Sequence, residues 1–308
     1  MACYPRIPMI APVRRLAGLL LAVLASLLLV GCTPRQLVVG SMADALAGQG
    51  RGSENDLELA RDAAPFYLKL SESVLQQQPG HLALAESVAG GFTQYAYAFV
   101  ASEADRLESV DSKGAERLRQ RAAHLYQRAQ RHAVNALELA NSGFVWRLAS
   151  PQPENWPRLK PEEVGLAYWA AASWGGWISL SKDDPEVVAD LPLAVRLAQL
   201  AWASDPAWGQ GSLTSLLASF EVARPGGSPA RALVLFDQAI AQSAGRSAGA
   251  LLAKAEGHAQ PAGERALFEQ LLRQALAIKD APDSPLAMQN EVMRRRAAWL
   301  LEKADDLF

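Results

Sequence analysis

An all-α fold is what this sequence predicts, and three observations predict it. The apolar period is helical nearly everywhere beyond Asp56. No run of alternating β-branched residues competes with it. Breakers fall between the periodic segments, at Gln78-Pro79-Gly80, Asn141-Ser142-Gly143, Asp205-Pro206, Pro225-Gly226-Gly227 and Asp280-Ala281-Pro282.

The first segment, 1–31, reads as an address. Arg14-Arg15 precede the uncharged run LAGLLLAVLASLLLV, Leu16 to Val30. Fifteen apolar residues are short for a bilayer span of about 20. A basic start, a short apolar middle and a small residue at the end form the pattern of a signal peptide. The segment ends LVGC, which resembles the lipobox of bacterial lipoproteins, with Cys32 as the acylated new N-terminus. The alternative is an ordinary signal peptide with a chance cysteine. Thr33 after the cysteine favours the outer membrane by analogy with such lipoproteins. Residues 32–55 are rich in Gly, Ser and Ala and read as a tether, with at most a short helix over 38–47.

Residues 56–308 read as one helical domain. The period places helices at 57–78, 82–109, 113–140, 162–181, 186–204, 209–223, 229–244, 247–258, 262–279 and 284–306. In the second, Val88, Phe92, Tyr95, Ala96 and Phe99 form a stripe that ends at Glu103; in the third, Leu118, Ala122, Leu125, Ala129, Ala133 and Ala136 do the same. A register recurs at the helix ends: a small or apolar residue, another three later, and a break five further on. It fits Ser71/Val74/Pro79, Ala133/Ala136/Asn141, Ala198/Ala201/Pro206, Phe236/Ala239/Ala244 and Leu272/Ala275/Asp280. Pro65–Pro79 and Pro192–Pro206 echo one another at a spacing of fourteen. The pattern resembles a tetratricopeptide-like repeat array, an α-α superhelix in which each helix pair buries both sides against neighbours. An alanine-rich bundle with chance spacing is the alternative. The last helix, with Arg294-Arg295-Arg296, reads as a cap with one solvated face.

Composition narrows the chemistry. The 308 residues carry 30 basic and 32 acidic side chains, so no basic excess exists for nucleic acid. Cys3 and Cys32 are the only cysteines, which excludes a disulfide framework and cysteine zinc sites. His124 and His132 stand eight apart, about 80° around a helix, and do not pair for a metal. Gly245-Arg246-Ser247-Ala248-Gly249 matches G-x-S-x-G, but the residues before Ser247 are helical rather than a strand, so an inter-helix turn is the better reading. No catalytic residue, metal or cofactor is expected.

The aromatic segment LAYWAAASWGGWISLS is more informative. Val164–Ser181 is eighteen residues without a charge, but its Trp residues lie mid-segment rather than at the ends, against a membrane span. One reading is a central buried helix. The other is that Tyr95, Trp169, Trp174, Trp177, Trp208 and Gln210 line a ligand groove, with Gly175-Gly176 admitting a backbone or ligand closely.

With LELARDAAPFYLKLSESVLQQQPGH, GGFTQYAYAFV, YWAAASWGGWISLSKDDPEVVADLP, SDPAWGQGSL and the tail RRRAAWLLEKADDLF, the chain resembles the TatT component family, the lipoprotein accessory of tripartite ATP-independent periplasmic (TRAP) transporters. The resemblance implies a non-enzymatic, tetratricopeptide-like periplasmic lipoprotein. It implies association with a TRAP substrate-binding protein, a small apolar ligand in a groove, and self-association, with a trimer as one arrangement. The competing reading is a structural lipoprotein of envelope or outer-membrane assembly.

Overall fold

A computed structural model describes residues 34–49, 56–281 and 284–308. The expected signal peptide and Cys32 lie outside them. Chain contacts define two units, Met1–Met42 and Ala43–Phe308. Helix α1, Pro34–Gln49, crosses that boundary and runs wider than the 38–47 expected. In the first unit Val38 and Met42 are exposed; in the second, Ala43 and Leu46 are buried.

Local chemistry sets the helix ends in the second unit. Helix α2, Leu57–Gln77, starts at Asp56, whose Oδ1 accepts from the N–H groups of Glu58 and Leu59. Helix α3, Leu82–Tyr95, starts at His81: Nδ1 accepts from the Leu84 N–H at 3.1 Å and Nε2 faces Asp44 Oδ1 at 3.0 Å. A π-helical turn, Ala96–Ala101, carries α3 into α4, Ser102–Leu107. Then come α5, Ser112–Ala140, capped by Asp111, and the short α6, Phe144–Ala149. Helix α7 is Val164–Ser179, α8 is Pro185–Ala189 and α9 is Leu191–Ser204. Asp205 is extended, as the following proline requires, and α9 stops there. Helices α10, Ser212–Ala223, α11, Pro229–Gln242, and α12, Ala248–Lys254, follow. A second π-helical turn, Ala255–Ala259, leads toward α13, Arg265–Ala277. Helices α14, Ala287–Glu302, and α15, Ala304–Leu307, end the chain. Among the described residues there is no strand.

Helices α3, α5 and α7 pack on one another, and α9 packs on α7. Helix α10 pairs with α11, while α12, α13 and α14 form the last group. The paired positions of the helix-end register are all core: Ser71, Val74, Ala133, Ala136, Ala198, Ala201, Phe236, Ala239, Leu272 and Ala275 are at most 4 % exposed. The proline echo does not mark equivalent places. Pro65 lies inside α2, whereas Pro192 sits in the first turn of α9.

Two polar nodes tie distant elements. Glu72 of α2 is buried and accepts from Arg128 and from Lys69 at 2.6 Å, with His132 Nε2 at 2.7 Å. Burial alone would raise its carboxyl; the hydrogen bonds from Arg128, Lys69 and His132 outweigh that and hold it at about 2. The second node corrects the reading of the last helix as a solvated cap. Arg296 is half-buried, grips Glu256 with two nitrogens, reaches Asp105 at 2.9 Å and lies over the Tyr97 and Trp299 rings. Arg294 pairs with Asp280 and Glu291. The arginine cluster fastens α14 to earlier helices instead of facing water; Arg295 is the exposed member and still pairs with Glu58 of α2.

Gly175-Gly176 also have an internal answer. A methyl group at Gly175 would come within 2.8 Å of the Phe220 ring, and one at Gly176 within 2.8 Å of the Tyr126 ring. The close approach expected at these glycines is made by rings from α10 and α5.

Two outcomes follow for stability. Glu72→Ala lowers the unfolding free energy by about 2 kcal/mol, less than the ~3–5 of a fully buried pair because Arg128 and Lys69 stay partly solvated. The carboxyl is lowered on folding, so its contribution is whole above the ordinary value of 4.5 and lost as pH falls toward about 2. Melting temperatures of the variant therefore decline less steeply with acid over that window. Gly176→Val costs about 1–3 kcal/mol by overpacking and alters the near-ultraviolet dichroism of the aromatic rings.

Candidate functional site

Helix α7 carries the aromatic residues because its whole circumference is uncharged and it packs against α3, α5 and α9. Trp169 lies flat on α3 where Gly90 leaves room; a Cβ there would stand 2.8 Å from the indole. Tyr168, next along, meets Trp169 edge-on at 4.8 Å between ring centroids and Trp208 at 4.5 Å. Burial pushes the Tyr168 hydroxyl up to about 12, the neighbouring Ser212 hydroxyl offsetting part of that rise.

Trp208 is delivered by a tight turn, Trp208–Gly211. Gly209, Gln210 and Gly211 all have positive φ, at 63°, 52° and 94°. Glycine takes this conformation freely; Gln210 does not, and a non-glycine residue there stores on the order of 1–3 kcal/mol. The turn is held from behind. Gly211 packs so close to α11 that a Cβ would touch the Ala239 carbonyl oxygen at 2.5 Å, and Gln242 donates to the Pro206 carbonyl at 2.8 Å. Gln210 is exposed on this turn, two residues after Trp208, whose ring meets Tyr168.

The other sequence candidates sit elsewhere. Tyr95 and Trp177 are half-buried against the cluster of Ala96, Val100, Ala122 and Tyr126 around the first π-helical turn, and Tyr95 meets Phe99 at 5.4 Å. Trp174 is 5 % exposed, in the core. Its indole N–H points at Asp190, whose carboxyl burial raises and this approach partly lowers, though it closes no hydrogen bond of ordinary geometry. The six candidates therefore divide among three places. Trp156 is structural: its N–H donates to the Ser150 carbonyl and Arg196 lies over its ring at 4.3 Å.

Two cavities have other linings. One, about 240 Å³, opens between α9, α10 and α11, walled by Trp202, Leu217 and Phe220 with Arg231 at its edge. The second, about 300 Å³, lies where α2, the first π-helical turn and α14 meet, among Phe99, Trp299, Arg61, Arg106, Arg295 and Arg296. Trp202 is visible in sequence as a flanking tryptophan. The second cavity joins residues more than two hundred positions apart, which no local pattern announces.

The G-x-S-x-G match resolves as a turn. Ser247 caps α12, its Oγ accepting from the Ala250 N–H at 3.2 Å, after Ala244 and Gly245 at positive φ. His132 is engaged by Glu72 and His81 caps α3. Among the described residues no three His, Cys, Asp or Glu side chains gather as a metal site.

Residues 53–308 match the family described as the TRAP transporter T-component. An uncharacterized protein of Treponema pallidum (strain Nichols) is 25 % identical over 307 residues, covering 92 % of this chain and 94 % of that protein. The family is a transporter accessory family, which gives the chain an accessory role in a TRAP system and an association with the cell envelope. With its match spanning nearly all of the helical unit, this chain belongs to the TRAP transporter T-component family.

Proposed function

We propose that the protein is a lipid-anchored periplasmic scaffold of a TRAP transporter, held at the outer membrane through acylated Cys32 and binding the system's substrate-binding protein. The observation that carries this reading is the family match over residues 53–308. The docking face we assign is the aromatic step Tyr168–Trp169–Trp208 with Gln210. A strained residue on a turn braced from behind costs stability that folding alone does not require, and such residues gather at binding sites. Rigid aromatic rings with polar edges also give contact area at low entropic cost. For a small hydrophobic ligand this reading keeps Trp169 within that step, while Trp174, in the core, and Trp177 and Tyr95, in another cluster, support the helices that carry it. Self-association, as a trimer or another closed ring, belongs to the same proposal.

The test is direct. Purified protein binds the substrate-binding protein encoded beside its permease, and Trp208→Ala weakens that binding about tenfold or more while the melting temperature moves little. Equal affinity for the variant removes this face from the proposal. Recovery of envelope-assembly factors without any binding protein would favour the structural-lipoprotein reading instead. Cys32→Ser yields an unprocessed chain, and a variant still acylated and membrane-bound would refute the anchor.

A further inference from the structure

Short helix α6 presents a surface that folding does not explain. Its inner face is fixed by Phe144 and Leu148, both essentially fully buried. Its outer face is apolar as well: Val145 is 41 % exposed and Trp146 is 73 % exposed, with Leu139 across the turn at 60 %. The turn between them is rigid. The Glu138 carboxylate accepts from the Val145 N–H at 2.9 Å and the Gly143 N–H at 2.6 Å, which holds its carboxyl below the ordinary range. Asn141 donates to the buried Glu163 at 2.9 Å. Trp146 is therefore held out in water by a braced support, an arrangement that suits contact with something outside the chain.

The position of this turn indicates what it meets. Glu72 lies five residues before the end of α2, His132 lies eight before the end of α5, and the two are bonded. At 1.5 Å per residue both helix ends fall within about 12 Å beyond that bond, at one end of the bundle. The α2–α3 turn follows there, and its His81 holds Asp44. Twelve residues lead back from Asp44 to Cys32, and because 34–44 are helical in α1 they reach at most about 22 Å. The α4–α5 turn with its exposed Val110 stands about 43 Å away along α5. Cys32 is therefore within chain reach of the Trp146 end and short of the Val110 end.

We propose that Leu139, Val145 and Trp146 form a membrane-contact patch that seats this end of the bundle on the lipid surface beside its own anchor. Tryptophan settles at the level of lipid headgroups, and two aliphatic neighbours add apolar area. Acyl chains at Cys32 confine the protein to the surface, so a patch too weak to bind alone acts at high effective concentration. The patch sets orientation, which fixes the height and direction of the remaining faces. This inference rests on the acyl-anchor reading.

The experiment uses the full acylated protein, its acylation confirmed by mass, in vesicles of phosphatidylethanolamine and phosphatidylglycerol with brominated acyl chains. Tryptophan emission is quenched in the parent protein, and Trp146→Ser loses about half or more of that quenching. Val110→Ser, at the other end, leaves it unchanged. Trp146 is exposed, so the variant folds, and matching far-ultraviolet dichroism verifies it. Equal quenching in acylated Trp146→Ser overturns the patch and leaves the anchor standing. Unchanged quenching with weakened binding to the purified substrate-binding protein would make this a protein-docking surface and also overturn it. A chain without acyl mass at Cys32 ends both readings.

Discussion

Close helix approach is the constraint on which the rest depends. Helix α7 has no charge to turn toward water, so it must be enclosed, and it is enclosed at short range because its neighbours are alanine or glycine where they cross. Large rings then take the space that missing side chains leave: Trp169 on Gly90, Phe220 on Gly175, Tyr126 on Gly176. This interlock does two things. It spaces α3, α5, α7 and α10 by the fit of rings into gaps, and it sets the direction in which Tyr168 leaves α7 toward Trp208. The proposed docking face is thus a by-product of core packing at one edge and requires no separate scaffold.

Sequence revealed the helices well because each rule involved is local. Apolar period, Asx and Ser caps and the prolines at Pro206 and Pro229 act over a few residues, and the helices begin and end close to where those signals stand. The small-residue register was legible for the same reason, since every paired position in it is buried. The site was legible only in part. Tyr168, Trp169 and Trp208 converge as an aromatic-rich segment suggests, yet Trp174 turns into the core and Trp177 joins a different cluster. Which ring faces where depends on neighbours tens of residues away. The Gly-Gly pair announced a close approach without saying by what, because a gap in one helix equally admits a backbone, a ligand or a ring from another helix. The arginine run misled similarly: Glu256 and Asp105, which decide that Arg296 turns inward, are 40 and 191 residues away.

The first π-helical turn shows how one local irregularity propagates. Buried residues along this helix recur every fourth position, at Leu84, Val88, Phe92, Ala96, Val100 and Ala104. In an undistorted α-helix, residues four apart drift by about 40°, so such a row would wind away from the core within a few steps. The wider turn at Ala96–Ala101 takes up the drift, and Val100 and Ala104 return to the interior. The stripe that sequence spacing carried through Phe99 to Glu103 loses its register here, which is why Glu103 lies outside. The same re-phasing leaves Asp105 within reach of Arg296, and the second π-helical turn supplies Glu256 to that guanidinium. Both irregular turns therefore converge on one arginine of α14. They join the early helices to the last ones through a charge that neither could satisfy alone, and the 300 Å³ cavity opens beside that junction.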